Sequence, residues 1–265
     1  MLPMQTKRID LCTVVGSSEN ACNGQSYAQA TGAPITLRRS TQNQQLSAAK
    51  RTRCAAFALA MLLSACGGGG SVTAAACTPH DISIQLFGDS TQVGAYNAGA
   101  LQRYLESRFG KDGFSLELRA VPGTTSQQAI DGTDGLNLPW PQSVHADIVM
   151  SNFGINDAYA PLGITQEQYR ANLRKLASVA VAVLETPSPT TADVYDTAPM
   201  AVIVREVAAE KHVAIADVQA YVLSVPDWKD HLPDGIHPDA ALHELIAQNV
   251  AGPVLAKAVE AVACR

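Results

Sequence analysis

From Ile82 onward, short apolar runs alternate with segments whose apolar residues recur at helical spacing, and this alternation is what most restricts the fold. Ile82 to Phe87, Leu116 to Val121 and Ile148 to Phe153 are short, largely apolar runs that read as buried strands. Val179 to Glu185 and Val213 to Asp217 add a fourth and a fifth. Between them, a helix is expected from about Tyr96 to Phe109, with Leu101, Leu105 and Phe109 on one face and Gly110 as its stop. A short helix is expected over Ser126 to Asp131. Another follows Thr165, whose hydroxyl and Gln168 make a capping box, and runs to Leu176. Helices over Ala198 to Lys211 and Ala240 to Val262 complete the pattern. Strands separated by helices pair in parallel, with a helix layer on each face. The expected fold class is therefore α/β: a flavodoxin-like three-layer sandwich with a five-stranded parallel sheet in the order 2-1-3-4-5. Its ligand site would lie at the strand ends where the order reverses, between strands one and three.

The chain has 265 residues, 47% of them hydrophobic and 16% charged, enough apolar material for one sizeable core. Its charge is unevenly spread. Residues 1–65 hold seven of the 19 Lys and Arg but only two of the 24 acids, so the remainder carries a net charge of −10. An acidic body lacks the basic stripe that nucleic acid requires, and no nucleic-acid partner is expected.

The basic residues cluster before an apolar segment. Lys50-Arg51-Thr52-Arg53 precedes Cys54 to Leu63, which is too short to span a bilayer. Residues 50–65 therefore read as an export signal. Leu63-Ser64-Ala65-Cys66 resembles the lipobox of bacterial lipoproteins, which makes Cys66 the lipidated residue and 66–80 a flexible linker. Gly67 after that cysteine resembles cargo sent on to the outer membrane. The expected location is the cell envelope or periplasm, lipid-anchored, with the membrane contacted through the anchor alone. Residues 1–49 are polar and without period, and are expected to be absent from the mature protein. Cys77 and Cys264 lie at the two ends of the folded body, whose domain spans 81–265; in an oxidising compartment they form either a disulfide or two separate thiols. No Cys-x-x-Cys or His-Glu-x-x-His spacing occurs, which disfavours a metal; no other cofactor is expected either.

Four blocks carry candidate chemistry. Gly88-Asp89-Ser90 follows the first strand, Gly123 the second and Gly154-Ile155-Asn156-Asp157 the third; Asp234-Gly235-Ile236-His237 precedes the last helix. Ser90 is a candidate nucleophile, or merely the cap of the next helix. His237 is its candidate base and Asp234 the carboxylate that orients the ring, set against a turn aspartate beside a surface histidine. His231 shares that loop and is the competing base. The backbone N–H groups of Ser90 and Gly123 and the amide of Asn156 could cradle an oxyanion, or simply serve local turns. Asp89 is expected to buttress the Ser90 turn and Asp157 to hold the Asn156 loop through nearby backbone.

In this order the blocks resemble those of the SGNH hydrolases, the GDSL-type lipases and esterases, from about Ile82 to the C-terminus. Thr91 stands where the family name implies leucine. No Gly-x-Ser-x-Gly surrounds Ser90, which sets aside the α/β-hydrolase pattern. The resemblance implies a serine esterase, expected as a monomer, that cleaves small acyl or acetyl esters through an acyl-enzyme on Ser90. One alternative passes the acyl group to a glycan hydroxyl; another is a lipid-anchored binding module without catalysis. Trp140 in the 131–146 loop and Trp228 in the Tyr221–Leu232 segment are candidate walls of a substrate pocket, or ordinary packing residues.

Overall fold

A computed structural model describes residues 77–179 and 181–265. The readings made on residues 1–49, on the signal segment 50–65, and on Cys66 with most of its linker lie outside the described residues. Strand β1 (Ile82–Gly88) pairs in parallel with β2 (Phe114–Leu118) on one side and β3 (Ile148–Asn152) on the other. Beyond β3 come β4 (Ala182–Glu185) and β5 (Ala214–Ala216), also parallel, giving the order 2-1-3-4-5. This is the α/β architecture expected from the strand–helix alternation.

Side chains alternate across each strand, so the central strands feed two cores. Ile84, Leu86, Ile148, Met150 and Val183 enter one, against α2 (Ala100–Phe109) and the C-terminal helices α8 (Ala240–Ile246) and α9 (Gly252–Ala263). Phe87, Val149 and Leu184 enter the other, against α5 (Gln166–Leu176) and α6 (Ala198–Lys211). Tyr169, Leu173 and Leu176 of α5 are spaced by three and four residues, and all are buried there. The Thr165–Gln168 capping box opens α5, and Thr125 with Gln128 makes a second at the start of α3 (Ser126–Asp131).

Several boundaries differ from the sequence reading, each for a local reason. The helix expected from Tyr96 is two helices. α1 (Ser90–Ala98) starts at the serine because Asp89 caps it, accepting from the Thr91 N–H at 2.9 Å. It stops at Gly99, whose φ of +66° is a left-handed conformation that L side chains disfavour. Asp217 is not a strand residue: it caps α7 (Val218–Ser224), an element absent from the sequence reading, and this shortens β5. Strand β4 begins three residues after the expected Val179, because Ala177 and Ser178 close the end of α5 through bonds to Leu173 and Lys175. The single long C-terminal helix is divided by a π-turn at Ala247–Ala251, ahead of Pro253, which lacks the N–H needed for a regular bond. A disulfide joins Cys77 to Cys264, with Cα atoms 5.3 Å apart across 187 residues of chain.

Candidate active site

The strand order sets the loops after β1 and β3 side by side, since Gly88 and Asn152 are register partners at their ends. Gly88 allows that approach: a Cβ there would collide with the Asn152 carbonyl and with Gln92. Ser90 is thus the first residue of α1, next to the reversal of strand order, where the helix exposes unpaired N–H groups and its positive dipole end. Asp89 takes the capping duty, so the serine hydroxyl is free for other bonds.

Those bonds reach across the chain. The Ser90 Oγ lies 2.7 Å from His237 Nε2, 147 residues away in sequence. The His237 Nδ1 lies 2.6 Å from Asp234 Oδ2. Asp234 Oδ1 also accepts the backbone N–H groups of Ile236 and His237, at 2.9 and 2.8 Å, which folds the turn so that carboxylate and ring face each other. Partial burial alone would raise the Asp234 pKa. The His237 ring and the two N–H donors outweigh it and bring the pKa down to about 2. Asp234 is therefore an anion at neutral pH, suited to stabilise a protonated imidazole. His231 is held elsewhere, its Nδ1 3.0 Å from Asp239, the residue that caps α8. His243 is buried against α1, and burial lowers its pKa to about 4.

The oxyanion candidates come from the ends of β2 and β3. Gly123 has φ of +78° with open space around its Cα, and its N–H has no partner among the described residues. The Asn156 side-chain N–H donates to the Thr124 carbonyl at 3.2 Å, which brings the amide to the Gly123 loop with its second hydrogen uncommitted. Asn156 lies on α4 (Ile155–Ala158), a single turn entered through Gly154 at φ of +136°. At Gly154 a side chain would meet Pro187 and the Tyr169 hydroxyl. Asp157 acts at longer range than the sequence reading expected. It is buried and accepts both the Ser126 N–H, at 3.1 Å, and the Ser126 hydroxyl, so it ties the Asn156 turn to the Gly123 loop rather than to its own neighbours.

Beneath these groups is a set of buried carboxyls. Burial lifts Asp89 to about 7, against the opposing Thr91 N–H bond, and nearby Asp157 raises it further. Burial lifts Asp157 to about 6 and Glu185 to about 8. Thr91, Gln92, Glu185, Ser188 and His243 line a cavity of about 20 Å³ beside α1, and side-chain oxygens of Thr91, Gln92 and Ser188 are unpartnered there.

Of the two tryptophans, Trp140 is a packing residue. Its ring meets Phe87 edge-on at 5.2 Å, and its N–H donates to the Lys175 carbonyl. Trp228 lines an open cavity together with residues of the 189–198 segment. Sequence reasoning missed that segment, although Thr191 donates its N–H to the Gly235 carbonyl at 2.8 Å and so props the Asp234–His237 turn. It also missed the Thr125–Gln128 box that frames the Gly123 loop, which the Thr-x-x-Gln spacing did signal.

Similarity to known proteins bears on the fold and the family. The chain is similar in fold to a lipase/acylhydrolase from Enterococcus faecalis, with 22% identity, a TM-score of 0.55, and coverage of 68% of this chain and 96% of that one. It is likewise similar to an acetylxylan esterase from Geobacillus stearothermophilus, with 18% identity, a TM-score of 0.53, and coverage of 69% and 96%. A third similar structure is an alpha/beta hydrolase enzyme from the metagenome of Lake Arreo, Spain, with 20% identity, a TM-score of 0.52, and coverage of 69% and 97%. No curated protein sequence matches the chain. A family model matches residues 86–245, more than half of the chain and all four blocks, and the chain accordingly belongs to the GDSL-like lipase/acylhydrolase family.

Proposed function

We propose that the protein is a serine esterase that hydrolyses small carboxylic esters, acetyl esters among them, through an acyl-enzyme on Ser90. The observation that carries this reading is the continuous Ser90–His237–Asp234 chain, with contacts of 2.7 and 2.6 Å. His237 Nε2 takes the serine proton as Oγ attacks the acyl carbonyl, and Asp234 stabilises the imidazolium that results. The negative oxygen of the tetrahedral intermediate is met by the N–H groups of Ser90 and Gly123 and the uncommitted amide hydrogen of Asn156. His237 then gives its proton to the leaving alcohol. A water deprotonated by the same ring attacks the acyl-enzyme and releases the acid, restoring the serine. Family membership supports the reaction class, and the acetylxylan esterase of similar fold supports acetyl as the acyl group.

The test is hydrolysis of p-nitrophenyl acetate by the purified 77–265 body. The Ser90→Ala variant should lose turnover by about 10⁴-fold or more. Equal turnover in wild type and variant would sink the reading.

The same proposal places the enzyme on the cell envelope through a lipid on Cys66, supported by the Leu63–Cys66 sequence and the basic segment ahead of it. Metabolic labelling with an alkynyl fatty acid should mark the wild-type chain and leave Cys66→Ser unmarked. Equal labelling of the two would remove the anchor from the proposal.

A further inference from the structure

The turn that carries Asn156 cannot hold itself. α4 is four residues long, and Gly154 at its start has no side chain to cap it. A helix of one turn has little stability of its own, so its placement depends on what packs against it. Asp157 and the Asn156 amide tie it on one side to the Gly123 loop. On another side stands the connection between β4 and α6, residues 186–197.

That connection meets the turn at both ends. Pro187 is buried against Gly154, where a Cβ would come within 2.8 Å of its ring. Tyr195 stacks on Tyr159, with 5.0 Å between ring centroids and 23° between planes. Tyr159 in turn closes α4 by donating its N–H to the Asn156 carbonyl at 3.1 Å. Between these two contacts, Thr191 donates its N–H to the Gly235 carbonyl at 2.8 Å, next to Asp234 and two residues before His237. One segment therefore bridges the turn with the oxyanion amide and the turn with the base.

Bonds within the segment keep Tyr195 in place. The Thr190 hydroxyl donates to the Tyr195 carbonyl at 2.7 Å, and the Tyr195 N–H donates to the Ala192 carbonyl at 2.9 Å. At the base of the loop the buried Thr197 donates its hydroxyl to the Ser188 carbonyl at 2.9 Å. Tyr195 is half-buried between exposed Val194 and Asp196, so its ring is what packs in this stretch. A stacked pair has a preferred separation and tilt, and so it fixes orientation as well as burying surface.

We propose that Tyr195 is a positioning residue for the ester reaction: stacked on Tyr159, and pinned through its segment to the His237 turn, it holds the Asn156 amide at the distance from His237 that the oxyanion requires. The proposal rests on the esterase reading above, with Asn156 as an oxyanion donor, and adds what keeps that donor in place. A donor that meets charge only in the transition state is felt in kcat rather than in KM.

The experiment is a double-mutant cycle read in kcat and KM on p-nitrophenyl acetate. Tyr195→Ala should lower kcat about 10-fold with KM unchanged, a part of the roughly 10²- to 10³-fold that Asn156→Ala costs by removing the donor itself. In the Asn156→Ala background, Tyr195→Ala should cause no further loss, since the group it positions is gone. Tyr195→Phe keeps the ring face and should recover kcat to within about twofold of wild type. Tyr195→Leu fills the space without a ring face and replaces the alanine variant should that one fail to fold. An equal loss in both backgrounds overturns the proposal, because a general weakening of the fold does not depend on Asn156. So does a change confined to KM, or a loss in Tyr195→Phe as large as in Tyr195→Ala.

A second readout does not need turnover. In proton–nitrogen correlation spectra the Asn156 side-chain amide pair, identified by its disappearance in Asn156→Ala, should move in Tyr195→Ala and keep its place in Tyr195→Phe. Wild-type protein without Ser90-dependent turnover overturns the esterase reading and this proposal together. An active wild type whose Asn156 amide signals are unmoved by Tyr195→Ala overturns this proposal alone.

Discussion

Two groups of carboxyls around the same small site are shifted in opposite directions by their surroundings. Asp234 lies in an exposed turn, and its ring partner and two backbone donors hold it near a pKa of 2. Asp89, Asp157 and Glu185 lie under the loops, where burial pushes them to about 7, 6 and 8. The side-chain chemistry is nearly the same, so the difference is one of surroundings. A carboxylate that must stabilise a transient imidazolium has to be an anion at working pH, which favours donors and solvent around it. A carboxyl that must hold a loop in place can carry its proton and accept or donate bonds inside the core. Asp157 is closer in sequence to Asn156, yet Asp234 is the one that faces the histidine.

That contrast breaks most directly at Asp234. Asp234→Asn should keep the turn but present an amide to Nδ1 and favour the wrong tautomer, lowering kcat on p-nitrophenyl acetate by about 10³- to 10⁴-fold. A fall below about 10-fold in the same assay would move the orienting role to another carboxyl. The buried side is tested at Asp157. Asp157→Ala leaves the Ser126 N–H and hydroxyl without their acceptor inside the protein, which should cost about 1–3 kcal/mol in urea unfolding. Because the Gly123 loop loses its tie, kcat should fall by about 10-fold while Ser90 and His237 remain in place. Unaltered stability would mean that the tie does not restrain the loop.

The smallest effect is in the pH dependence of stability. Glu185 has its folded pKa raised to about 8 from an ordinary 4.5, so the folded chain binds more protons than the unfolded one in between. Its contribution is fully present below about pH 4.5 and is lost as pH rises through 8. Asp89 acts with the same sign up to about pH 7. Asp234 has the opposite sign: its contribution is present above 3.8 and is lost as pH falls through 2. Glu185→Gln should therefore match the wild type near pH 5 and exceed it near pH 9 by on the order of 1 kcal/mol in urea unfolding. Parallel curves at both pH values would show that Glu185 is not held protonated.

The legible parts of the sequence were those whose signal is local. Short apolar runs marked the strands, and the Thr165–Gln168 spacing marked the start of α5. The Gly-Asp-Ser and Asp-x-x-His blocks were visible because turns of that kind need those residues in those places. The errors have local causes too, in competing signals. Asp89 and Asp217 were not read as helix caps, because each follows a strand and an aspartate there serves loop and helix equally well. Gly99 and the π-turn before Pro253 divided two helices whose apolar periodicity runs on across the breaks.

From its residues alone, this chain determined its strand–helix alternation, and with it a parallel sheet carrying functional groups at the carboxyl ends of the strands. It also determined the short-range geometry of the Asp234–His237 turn, since three residues of backbone bring the carboxylate back onto the ring. Only the tertiary structure decided that Ser90 and His237, 147 residues apart, come within 2.7 Å. It alone also set the reach of Asp157 to Ser126 and the place of the 189–198 segment against the Asn156 and His237 loops. The physical reason is that such contacts depend on how sheet order and packing place distant loops together, and no spacing along the chain encodes that distance.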